Sequence, residues 1–288
     1  GTEAEPIVFT GWEAVPGYWG GVTVYYSNST NNRFEHVTIE YGGSSSGANL
    51  TTNGSESEPP RLAIVNCTLS DSAGYGLYLD EDSVVTEFST NTLTDNALGA
   101  ASVGQDVVGV LDAASTYSGN TEDVVNVYGG SVATAQTWQA IDADYLFDSS
   151  DLYVHADLTI AAGATLVFGQ ARAVWVYDDG SLKAVGTAAD PITFTGNQAT
   201  AGYWEGVTYY YSVSVNNVLT YVTIEYGGGN DAGNLHVTGN AEATATDCTF
   251  SHSSAYGVYV GSSATINADV ETANTFSDNA EGNVYIVP

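Results

Sequence analysis

Residues 1–50 contain GTEAEPIVFTG (1–11), GYWGGVTVYYS (17–27) and HVTIEYGG (36–43); residues 186–235 contain GTAADPITFTG (186–196), GYWEGVTYYYS (202–212) and YVTIEYGG (221–228). At a constant offset of 185 residues, 30 of these 50 positions are identical. The chain therefore carries an internal duplication, and a repeat constrains the fold more strongly than any local propensity. The match continues past residue 50 with small length changes. Asn66–Ser70 pairs with Asp247–Ser251, Tyr75–Leu79 with Tyr256–Val260, and Asn91–Ala97 with Asn274–Ala280. The length changes fall between short apolar runs, where loops absorb them and strands would not.

Inside each copy the apolar residues come in alternating pairs, such as Ile7/Phe9, Val37/Ile39 and Leu77/Leu79, then Ile192/Phe194, Val222/Ile224 and Val258/Val260. Each pair is followed by Gly, Asn, Ser or Asp, the pattern of short strands ended by turns. Leu158/Ile160, Leu166/Phe168 and Val174/Val176 continue the rhythm between the copies. No stretch keeps a helical period, and Thr134–Asp144, the nearest to one, reads as a loop. Hairpin sandwiches would show more Asn-Gly and Asp-Gly turns between strands. A propeller would repeat every ~40–50 residues. The pattern predicts an all-β fold, a single right-handed parallel β-helix (solenoid) of about twelve coils of ~20–25 residues each. One continuous solenoid over 1–288 is expected, its duplicated parts 1–105 and 186–288 joined by further coils over 106–185.

The run GSLKAVGT (180–187), PITFTG (191–196) and YWEGV (203–207), preceded by LTIAAGATL (158–166), resembles the secreted right-handed parallel β-helix repeat proteins of bacteria and archaea. The resemblance extends over nearly the whole chain. It implies the pectate-lyase-like fold, in members without catalysis, and an extracellular or cell-surface location.

Charge narrows the function classes. Acids number 34 against four cations, Arg33, Arg61, Arg172 and Lys183, for a formal charge of −30. Such a surface cannot neutralise phosphates, which argues against nucleic acid and anionic membranes as partners. No run approaches the ~20 apolar residues of a membrane span, so membrane insertion is not expected. A lyase on this scaffold would need a basic residue beside a cluster of acids, and the sequence places none next to Arg33, Arg61 or Lys183. The four histidines show no metal-ligand spacing. The chain is thus expected to be non-catalytic.

Three sets of residues are candidates for binding. Trp19, Tyr25, Trp204 and Tyr210 hold equivalent places in the two copies and would serve to stack on sugar rings of an extracellular polysaccharide. Their bland reading is packing against turns. Asp80, Glu81 and Asp82, with Asp178 and Asp179, are turn acids that suit calcium, although no cofactor is required. Cys67 and Cys248 are expected to be buried free thiols. Finally, the sequence has no capping helix at either end of the repeat. Solenoid edges left open are templates for pairing, so copies joined head to tail in a filament or surface assembly are the expected partners.

Overall fold

The computed structural model describes residues 1–44 and 47–288. The fold is a parallel β-solenoid of about eleven turns, consistent with the right-handed hand that parallel crossovers take. It falls into two compact units, Gly1–Tyr128 with Ile141–Tyr145, and Gly129–Ala140 with Leu146–Pro288. The count agrees with the expectation of about twelve, and many coils run longer than 20–25 residues. Leu152 pairs with Val174, 22 residues on, but Ala184 pairs with Leu219, 35 residues on. The excess sits in loops such as 197–205 and 211–217.

In the first unit, one wall stacks Ile7–Phe9, Val37–Glu40, Thr68–Ser70 and Thr92–Thr94. A second stacks Val22–Tyr25, Ala48–Asn53, Tyr75–Leu79, Gly99–Gly104 and Val124–Tyr128, and a third Arg33–Glu35, Arg61–Val65 and Val84–Ser89. The second unit repeats the scheme. Its walls include Ile192–Gly196, Val222–Glu225, Thr249–Ser251 and Thr275–Ser277; Asp157–Ile160, Ser181–Val185, Val218–Thr220 and Glu242–Thr246; and Leu152–Val154, Ala173–Val176, Gly206–Tyr210, Gly233–Thr238, Tyr256–Val260 and Gly282–Ile286.

Parallel pairing puts like residues above like, and alternation sends every second side chain into the coil. Phe194, Ile224, Phe250 and Phe276 thus form one inward file, and Val207, Leu235, Val258 and Val284 another. Among the described residues, the helical turn that sequence missed is one 3-10 run, Gln105–Val110. The 134–144 segment contains a strand, Gln136–Trp138, whose Trp138 is buried against Phe147 with ring centroids 5.9 Å apart.

The corners explain why the same polar residues recur in both copies. Between walls the chain bends at one residue held in the left-handed region: His36 and Asn66 in the first copy, Tyr221 and Asp247 in the second. A bend this tight leaves backbone groups unpaired, and buried asparagines supply the partners. The Asn91 Oδ1 accepts the Cys67 N–H at 3.0 Å, as the Asn274 Oδ1 accepts the Cys248 N–H at 2.8 Å. The two thiols are buried and free. Burial pushes the Cys248 thiol up to about 11 and raises Cys67 as well, so both are poor nucleophiles.

Candidate functional site

Each strand of the wall from Leu152–Val154 to Gly282–Ile286 points two apolar residues inward and the one between them outward. The pairing fixes the outward file as Tyr153, Trp175, Thr208, His236, Tyr259 and Tyr285, one from each coil. Five of the six carry rings. Tyr153, Trp175, His236 and Tyr259 are half-buried, Tyr285 is exposed, and Thr208 is buried among them. Rungs ~4.8 Å apart set the rings at a repeat comparable with the advance of an extended glycan.

Neighbouring rings widen the file into a surface. Tyr177 stacks on His155 at 4.5 Å and meets Tyr210 edge-on at 6.0 Å; Tyr210 also meets Trp175 edge-on at 6.4 Å. Farther along, His236 and Tyr259 sit 5.2 Å apart at 87°, and Tyr285 lies 5.0 Å from Tyr256 and 5.4 Å from Tyr259. Edge-to-face geometry suits the ring quadrupoles and fixes the orientation of each face.

Of the aromatic candidates from sequence, the structure puts only Tyr210 on this surface. Trp204 is fully buried: Phe168 stacks on it at 4.4 Å, and its Nε1–H donates to the Glu225 carbonyl at 2.7 Å. Trp19 makes the equivalent bond, to the Glu40 carbonyl at 2.8 Å. Both tryptophans thus hold a turn, and Trp204 presents no ring face to solvent. Tyr25, in the first unit, is 67% exposed and packs edge-on against Tyr26 at 4.6 Å. The residues missed carried a signal, an apolar–aromatic–apolar triplet repeated as LYV (152–154), VWV (174–176), LHV (235–237), VYV (258–260) and VYI (284–286).

No protein-family model matches the chain, no curated protein matches it, and no solved structure matches it. The site is therefore read from its own geometry.

The turn acids are placed as follows. The Asp82 N–H donates to the Asp80 carboxylate at 3.1 Å, and burial, ahead of the Asp82 charge, raises Asp80 above the usual carboxylate range. Asp179 pairs with His155 at 2.9 Å, while Asp178 is exposed beside it. Among the described residues, no three His, Cys, Asp or Glu side chains gather closely enough to hold a metal ion. Calcium at Asp80, Glu81 and Asp82, or at Asp178 and Asp179, would have to draw on backbone carbonyls and water.

Two of the four basic residues, Arg33 and Arg172, form ion pairs among the described residues. Arg33 lies between Glu35 at 2.8 Å and Glu87 at 2.6 Å, a cluster that sequence did not anticipate because Glu87 arrives from two coils later. Hydrogen bonds to those carboxylates raise the Arg33 pKa, the opposite of what a catalytic base needs. Arg172 contacts Asp151 at 3.5 Å, and the Glu205 carboxyl nearby is raised by burial and by Asp151, with Arg172 opposing. Among the described residues no helix is long and apolar enough to cross a membrane.

Proposed function

We propose that this chain is a non-catalytic, extracellular glycan-binding solenoid, with the aromatic file of the second unit as its binding surface. The observation that carries the reading is the alignment of Tyr153, Trp175, His236, Tyr259 and Tyr285 on one outward face. Sugar rings are apolar on their faces and polar on their edges, so half-buried aromatic rings with hydroxyls beside them are their natural complement. The duplication adds a contrast. The first unit's corresponding file reads Thr23, Thr51, Tyr78 and Ser102, where the second has Thr208, His236, Tyr259 and Tyr285. At two of these four positions a ring stands in the second copy where the first has Thr51 or Ser102, while the inward residues are apolar in both copies except at Thr52, whose counterpart is Val237.

Affinity electrophoresis and titration calorimetry against a panel of extended glycans test the reading. At least one glycan should bind, and Trp175→Ala or Tyr259→Ala should each weaken it about tenfold, or ~1.4 kcal/mol, while Tyr25→Ala leaves it unchanged. Retardation by none of the panel would end the proposal.

A further inference from the structure

We infer that the groove beside His236 and Tyr259 receives a protonated amine of the bound sugar, so that the preferred ligand of this face is an amino-sugar polymer; the inference rests on the glycan reading above. The groove, of about 440 Å³, is lined by Asn230, Asp231, His236, Thr238, Tyr259 and Ser262 among others. Its lining includes His236 and Tyr259, two rings set edge-to-face at 87°, and the Tyr259 ring is of the kind whose face attracts a cation. Its wall holds Asp231, whose carboxylate has no partner among the described residues. The turn that carries it is fixed by the backbone bond from Asp231 N–H to the Gly228 carbonyl at 3.0 Å, and by Asn230 Oδ1 accepting the Ala232 N–H at 3.1 Å. A carboxylate held beside ring faces is the combination that selects an ammonium over a hydroxyl.

Among the described residues, no competing cation occupies this place. Burial lowers the His236 pKa, which disfavours a charge of its own on this ring. Of the second unit's Arg and Lys residues, Arg172 is bound to Asp151 and Lys183 stands on a different wall, in Ser181–Val185. The Thr238 and Ser262 side chains remain to meet the sugar hydroxyls. An acidic glycan would meet Asp231 unscreened, on a chain of formal charge −30.

The test compares oligosaccharides of one length, a glucosamine oligomer, its N-acetylated form and a cello-oligosaccharide, by calorimetry in mildly acidic buffer at moderate salt. The glucosamine oligomer should bind about tenfold tighter than the other two. Asp231→Asn should remove most of that preference, read as the ratio of glucosamine-oligomer to neutral-oligomer affinity. Asn tolerates the left-handed backbone at this position, where φ is +63°, so the variant keeps the turn. If Asp231→Asn keeps the full preference, the attraction is the diffuse charge of the chain and the groove is not its source. Equal affinity for all three oligomers would also overturn the inference while leaving the glycan reading intact. Binding of none of the three would remove this inference, and the glycan reading falls with it only if the wider panel also fails.

Discussion

Replacing Trp204 by alanine is expected to destabilise the protein by about 3–5 kcal/mol, the range for deleting a buried large aromatic side chain. Trp204 is fully buried, stacked on Phe168 at 4.4 Å and 7°, and bonded through Nε1 to the Glu225 carbonyl. The variant therefore loses apolar burial and a ring pair worth ~0.5–1.5 kcal/mol, and it strands a carbonyl at a corner. The duplication supplies the control. Trp19 keeps the equivalent bond to Glu40 but is only partly buried. Trp19→Ala should cost roughly half as much or less, since part of its ring already meets water. Hydrogen exchange of the flanking strands, read separately in each unit, measures both costs without assuming that the whole chain melts as one. Equal costs would show that stacking on Phe168 adds nothing.

That pair also shows where the sequence stops being informative. The strings GYWGG (17–21) and GYWEG (202–206) are nearly the same, and both tryptophans bond a carbonyl 21 residues on. Their burial differs because burial depends on what is stacked against the coil, which no local string encodes. The solenoid itself was legible, since a parallel stack forces each coil to repeat its neighbours' apolar pairs. The length of each coil was not, because loops lengthen without disturbing the rungs. The aromatic surface was hidden for a related reason. The rings that stand out in the sequence are those shared by both copies, Trp19 with Trp204 and Tyr25 with Tyr210. Shared residues report what every coil needs, such as cores and corners. The binding surface proposed above adds rings where the copies differ, at His236 against Thr51 and Tyr285 against Ser102, to shared ones such as Tyr210 and Tyr259. Arg33 makes the same point from the other side, because its partner Glu87 is 54 residues away and only the coil register joins them.

The corner asparagines should give the opposite result from the tryptophans, equal costs in the two copies. Asn234 is fully buried; its Oδ1 accepts the Gly227 N–H at 2.9 Å and its Nδ2 donates to the Ser251 carbonyl at 2.8 Å. Asn49 is also fully buried and makes the same two bonds, from the Gly42 N–H at 2.8 Å and to the Ser70 carbonyl at 2.6 Å. Each amide ties its own strand to the preceding corner and to the next coil, so alanine leaves a donor and an acceptor buried without partners. At ~1–3 kcal/mol for each orphaned group, Asn49→Ala and Asn234→Ala should each cost about 2–5 kcal/mol. The Asn234→Asp variant separates shape from hydrogen bonding at the same place. Its side chain, when ionised, would still accept from Gly227 but could not donate to Ser251, and its charge would be buried. When protonated, the new carboxyl donates through its O–H. Burial would raise its folded pKa above the unfolded value, so the folded state of Asn234→Asp binds the extra proton. The cost of the substitution should therefore be smallest in acid, below the unfolded carboxylate value of ~4, and grow as pH rises through the folded one. Thermal melts of Asn234→Asp and the parent chain across that range read the difference directly. A cost independent of pH would show that the introduced carboxylate reaches solvent and that the corner opens to admit it.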